Sequence, residues 1–129
     1  MKLLLDTHVW LWSMAEPRRL SRRVQSELRN AANEFWLSPV STWEALLLRA
    51  RGRIQMRGSA SEWVSSATAP FREAPLTHEI VLAAQELPLA HNDPADRFLA
   101  ATAGVLGLTL VTADERLLGL GAIATLANR

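Results

Sequence analysis

Four acidic residues stand where the chain passes between predicted elements. Asp6 follows the apolar run Leu3–Leu5, Glu44 follows Ser38-Pro39-Val40-Ser41, Asp96 follows Asp93-Pro94, and Asp114 follows the apolar run Leu108–Val111. Carboxylates gathered in one pocket cannot all stay ionised unaided, because like charges at short range disfavour one another. A hard divalent cation relieves that conflict. Magnesium and manganese take the ligand set offered here, carboxylate and water oxygens in octahedral geometry. Such an ion lowers the pKa of a bound water and clamps a phosphoryl oxygen, and two ions about 3.5 to 4 Å apart stabilise both the attacking and the leaving oxygen. The chemistry this set predicts is phosphodiester hydrolysis.

Each acid also has a plainer reading. Glu44 lies in capping-box spacing after Ser41. Asp96 falls in the first turn of a helix, where an acid favours the dipole, and Asp93 suits the N-cap of the same helix. Asp114 fits the start of a short helix around Glu115–Leu118. Asp6 resists such a reading, since it ends a buried apolar strand, where an unpaired charge is costly.

Zero cysteines remove disulfides, thiolate ligands and cysteine nucleophiles together. His8 and His91 form no closely spaced pair and read as residues packing near the site or bonding a backbone carbonyl. Thr7, Ser41 and Thr112 are the hydroxyls placed to orient carboxylates. Arg97, beside Asp96, reads equally as a phosphate contact or a surface ion pair. Five tryptophans, at 10, 12, 36, 43 and 63, sit mostly at apolar helical positions, which suits core or dimer packing better than base stacking.

The acids need elements to carry them, and short apolar runs alternate with longer amphipathic segments in the rhythm of an α/β fold. Leu3–Leu5 reads as a fully buried strand, followed by a short helix over Thr7–Trp12. Ser21 caps a helix to about Asn33, and Phe35–Leu37 is a second strand. Ser38–Ser41 reads as a turn before a helix that Gly52 stops near Arg51. Ser59 and Glu62 open a helix that closes before Pro70. A further helix spans Thr77–Leu87. Asp93 and Pro94 start one that runs to Gly104 or Gly107. Leu108–Val111 is a buried strand and Ala122–Leu126 a final edge strand. Asp6 and Asp114 thus lie at or just past strand carboxyl ends, where parallel α/β sheets bind ligands.

A chain of 129 residues with 49% apolar and 21% charged residues fits one globular domain, spanning 1–129, with a core of its own. The longest uncharged stretch, Phe98–Ala113, contains Gly104 and Gly107 and is too short to span a bilayer, and Leu3–Leu5 is too short for a signal peptide. A cytoplasmic protein is expected. The net charge of +1 conceals segregation: between Arg18 and Arg57 nine arginines face Glu27, Glu34 and Glu44, while the rest of the chain leans acidic. Arginine forks match phosphate and carboxylate, so this basic half suits a nucleic-acid backbone, an acidic partner or a solvated surface.

Five blocks in order carry a resemblance: Leu4-Leu5-Asp6-Thr7-His8-Val9-Trp10-Leu11-Trp12, Ser38-Pro39-Val40-Ser41-Thr42-Trp43-Glu44, Gly52-Arg53-Ile54, His91 to Ala101, and Leu110-Val111-Thr112-Ala113-Asp114. Together they resemble PIN-domain proteins of the VapC toxin type. The resemblance implies a three-layer α/β fold with a mostly parallel central sheet. It also implies a ribonuclease in which Asp6, Glu44, Asp96 and Asp114 surround magnesium or manganese. Asp93 is a fifth candidate, as a contact to the metal through water or as the helix cap alone. The same resemblance implies the toxin half of a type II toxin–antitoxin pair, a homodimer, and a separately encoded antitoxin. Arg97, Arg49 and Arg53 are then candidate contacts for RNA or antitoxin. Ala95 and the tail after Asp114 depart from the subgroup's pattern, which often has aromatic residues there.

Two other readings compete. A PIN-like module without catalysis would bind RNA or protein through the same groove. A haloacid-dehalogenase-like phosphatase would also end a strand in Asp6-Thr7, but that chemistry needs a second aspartate where His8 stands.

Overall fold

The computed structural model describes residues 1–89 and 93–129. Five strands, β1 (Lys2–Leu5), β2 (Glu34–Leu37), β3 (Arg72–Glu73), β4 (Thr109–Thr112) and β5 (Thr125–Ala127), form one sheet in the order β3-β2-β1-β4-β5. All four pairings are parallel, with Leu4 opposite Trp36 on one side and Leu110 on the other.

Strand β1 is central, and its side chains alternate between two cores. Leu3 and Leu5 join Val9, Trp10, Val24 and Ala45 on one face, while Leu4 joins Leu99, Ala100, Ala103 and Leu110 on the other. Burial on both faces explains why this strand reads as an unbroken apolar run. The helices supplying those faces are α1 (Thr7–Ala15), α2 (Arg22–Arg29), α3 (Pro39–Ala50), α4 (Ala60–Thr68), α5 (His78–Glu86), α6 (Pro94–Leu106) and α7 (Glu115–Leu118), with a 3₁₀ turn at Pro17–Arg19. The result is the expected three-layer α/β architecture.

Local sequence sets most helix ends. Ser21 Oγ accepts from the Val24 N–H at 3.2 Å, and Thr77 Oγ1 from Ile80 at 3.2 Å. Ser59 and Glu62 form the reciprocal capping box, at 3.1 and 3.2 Å. Gly107, at φ 66°, closes α6 in the left-handed conformation that glycine adopts without steric cost.

Several boundaries differ from expectation. The segment Ser38–Ser41 is the start of α3: Ser38 Oγ accepts from Val40 N–H at 3.0 Å, and Pro39 occupies the first helical position, where its missing N–H is no loss. Glu44 therefore lies in the second turn and caps nothing. Helix α2 stops at Arg29, because Asn30 Oδ1 takes the Ala32 N–H at 3.0 Å and turns the chain. Strand β3 has two exposed residues and no alternation to reveal it. Strand β5 begins at Thr125, after a loop at 121–124.

The strand order fixes the site. From β1 the chain moves outward through β2 to β3, then returns through α5 and α6 to β4 on the opposite side of β1. The reversal leaves a crevice beyond the carboxyl ends of β1 and β4, the ligand position of doubly wound sheets.

Candidate active site

Asp6 is the first residue past β1 and the N-cap of α1. Its N–H continues the sheet ladder to the Val111 carbonyl at 3.0 Å, and its Oδ1 accepts from the His8 N–H at 3.4 Å. The carboxylate is only 8% exposed. Burial pushes its pKa up, against the opposing pull of the Thr112 hydroxyl and the charge and N–H of His8, while Asp114 raises it further.

Thr112 ends β4, beside β1, so its hydroxyl reaches Asp6 Oδ2 at 2.5 Å. The same oxygen accepts the backbone N–H of Asp114 at 3.0 Å. One buried hydroxyl thereby fixes two acids.

Thr7 performs a similar task for Glu44. Its Oγ1 lies 2.5 Å from Glu44 Oε1 and 2.9 Å from Ser41 Oγ. An ionised carboxylate can only accept, so the single Thr7 proton goes to Glu44 and the Ser41 hydroxyl closes the other contact as donor. Burial raises the Glu44 pKa, the Thr7 bond lowers it, and the charges of Asp6 and Asp93 raise it again.

Two further acids come from α6. Asp93 is its N-cap, accepting from the Ala95 N–H at 3.0 Å. Asp96 lies in its first turn, and its carboxyl is pushed up to about 7, first by burial and then by the charges of Asp93, Asp6, Asp114 and Glu44. Asp114 caps α7, and the Arg116 fork meets it at 3.3 and 3.1 Å.

Asp6, Glu44, Asp93, Asp96 and Asp114 line one cleft of about 330 Å³ together with His8, Trp12 and Arg116. Larger hollows, such as one of about 540 Å³ bordered by Leu20, Leu28, Trp63 and Phe71, lie away from the acids and are mainly apolar. Among the described residues, no three acids or histidines are drawn together closely enough to hold a metal ion as they stand. The donor chemistry nevertheless fits a hard divalent cation: the convergent groups are carboxylates, and burial together with the charges of its acidic neighbours raises the pKa of Asp96.

The hydroxyls of Thr7 and Thr112 bond to Glu44 and Asp6, and that of Ser41 bonds to Thr7. Arg97 requires a correction. Its guanidinium donates to the carbonyls of Ala84 at 2.9 Å, Leu87 at 3.2 Å and Leu89 at 3.1 Å, which ties the end of α5 to α6. Its main engagement is thus with backbone carbonyls, a role that neither the phosphate contact nor the surface ion pair anticipated. Arg49, in the last turn of α3, and Arg53, exposed beyond Gly52, do not line the cleft. His91 lies outside the described residues. The sequence reading missed Trp12 and Arg116 as cleft residues. The signal was present for Trp12, two residues past Trp10 and so about 200° around the helix from that core position.

A model of the PIN domain family matches residues 3–122. The chain belongs to the PIN-domain family. It is 35% identical over 116 residues to "Ribonuclease VapC22" of Mycobacterium tuberculosis, covering 89% of this chain and 88% of that protein. Its fold resembles that of VapBC from Salmonella typhimurium, solved bound to DNA, with a TM-score of 0.76 at 15% identity over 100% of this chain and 99% of that one. VapBC2 from Rickettsia felis, solved on a promoter DNA fragment, gives 0.72 at 15% identity over 98% of each chain.

Proposed function

We propose that this PIN-domain protein is a metal-dependent endoribonuclease, the toxin of a type II pair restrained by a separately encoded antitoxin. The observation that carries the reading is the convergence of Asp6, Glu44, Asp96 and Asp114 on one cleft at the switch point of the sheet. The 35% identical relative is named a ribonuclease, and a protein of the same fold has been solved as a toxin–antitoxin complex from Klebsiella pneumoniae.

Magnesium or manganese, bound by the four acids with Asp93 through water, would supply the positive charge that offsets them and polarises a phosphoryl oxygen. The chain's own part is positioning. Thr112 holds Asp6 and the start of α7, and Thr7 holds Glu44, so three carboxylates face the cleft in fixed orientations. Asp96, in the first turn of α6 and lining the cleft with the other acids, would accept the proton of the attacking water. Glu44, anchored through Oε1, would be the most firmly oriented of the ligands.

The basic half of the chain, with Arg49 and Arg53, contacts the RNA backbone or an acidic antitoxin. The protein works as a homodimer in the cytoplasm, where RNA is at hand; among the described residues no helix is long and apolar enough to cross a membrane. Incubating purified protein with labelled RNA, with and without chelator, tests the reading: metal-dependent fragments support it, and intact RNA in the presence of manganese opposes it.

A further inference from the structure

Beside the acids, the cleft wall carries the rings of His8 and Trp12, and the Arg19 guanidinium lies next to them over Trp12. Trp12 is packed against the core on one side and borders the cleft on the other. The His8 ring, which also borders the cleft and is exposed, lies 5.8 Å from the Trp12 ring at 49°. The Arg19 guanidinium sits 4.2 Å over the Trp12 ring, with its side chain 52% exposed and an ion pair to Glu16 at 3.6 Å. Cation–π attraction favours this placement of the guanidinium over the ring.

Among the described residues lining the cleft, the basic side chains are His8 and Arg116, and the Arg116 fork is directed at Asp114. An RNA strand entering beside several carboxylates needs attraction from elsewhere. Unpaired bases find it on aromatic rings and on arginine planes, which stack any base and favour the larger purines.

We infer that the row His8–Trp12–Arg19 is a base-reading ledge: the unpaired base next to the scissile phosphate stacks on His8, backed by the fixed Trp12 ring, and Arg19 receives the adjoining nucleotide. This rests on the ribonuclease reading above. It assigns the enzyme a purine preference beside the cut, set by residues that hold no metal.

The test uses a randomised single-stranded RNA pool with manganese, wild-type protein, and the variants His8→Ala, His8→Phe and Arg19→Ala, with fragment ends read by sequencing and folding checked by thermal melting. Wild-type protein should prefer a purine next to the cut. His8→Ala should flatten that preference and raise KM roughly tenfold with kcat nearly unchanged, because stacking binds ground state and transition state alike. His8→Phe should restore both, and Arg19→Ala should raise KM. If wild-type protein cleaves without preference, or His8→Ala matches it in preference and KM, the ledge is refuted while the ribonuclease reading stands. If wild-type protein cleaves nothing, the ribonuclease reading falls and takes the ledge with it.

Discussion

Thr112 and Asp6, separated by 106 positions in sequence, are joined by a hydroxyl-to-carboxylate bond of 2.5 Å across neighbouring parallel strands. The bond exists because β4 returns to the side of β1 opposite β2, bringing its last residue level with the first residue after β1. The Thr112 oxygen also accepts the Asp114 N–H, so strand pairing is converted into the relative placement of two acids.

Replacing this hydroxyl by a methyl group should therefore do two kinds of damage. Thr112→Val keeps the shape but leaves Asp6 buried without its donor and the Asp114 N–H without its acceptor. The expected cost is about 1 to 3 kcal/mol in urea unfolding, together with a large fall in RNA cleavage. A variant with unchanged stability and rate would show that the bridge is dispensable.

The raised carboxyls give the metal-free protein a pH dependence of definite sign. Asp6, Glu44 and Asp96 all bind protons more readily folded than unfolded, so their contribution is fully present below their ordinary values and is lost as pH rises through the folded ones. For Asp96 the window runs from 3.8 to about 7. Thermal unfolding in chelator should show stability falling across that range, by on the order of 1 kcal/mol for this half-exposed group once solvent screening is allowed for. Asp96→Asn should flatten the slope. A stability that rises from pH 4 to 7 and is unaffected by Asp96→Asn would contradict the electrostatic picture.

Arg97 separates structure from RNA binding. Because its guanidinium bonds three carbonyls at the end of α5, Arg97→Met should destabilise the protein by about 2 kcal/mol. RNA binding should keep its dependence on salt, since three of the guanidinium's donors are held by backbone carbonyls at the end of α5. Replacing Arg49 and Arg53 should instead lower the slope of log affinity against log salt by roughly 1 for each phosphate deprived of its arginine. A reduced slope in Arg97→Met would restore that residue to the RNA surface.

The contrast between Arg97 and the acids shows what the sequence makes legible. Strands such as Leu3–Leu5 are readable because burial on both faces demands an unbroken apolar run, and caps such as Ser21, Ser59 and Asp93 are readable because they satisfy backbone donors locally. Asp6 stood out because an acid at the end of a buried strand is costly without a purpose. The destination of Arg97 depends on carbonyls 8 to 13 residues upstream, in the last turn of α5 and just past it, where the helix end exposes acceptors that no local pattern ties to Arg97. Glu44 looked like half of a capping box because Ser41 precedes it by three residues, whereas Ser38 and Pro39 had already begun the helix. The edge strand β3 is two residues long and owes its existence to pairing with β2.

Asp6, Glu44, Asp96 and Asp114 come from distant elements, and RNA cleavage tests whether they act together as a metal-dependent nuclease centre. The most direct measurement is cleavage of an end-labelled tRNA and ribosomal RNA pool in manganese, magnesium or chelator by the wild-type chain, Asp6→Asn and Asp96→Asn, each verified as folded. The wild-type chain should yield discrete fragments that vanish with chelator and with either substitution. Cleavage at the wild-type rate by folded Asp6→Asn, or cleavage indifferent to chelator, would contradict such a centre.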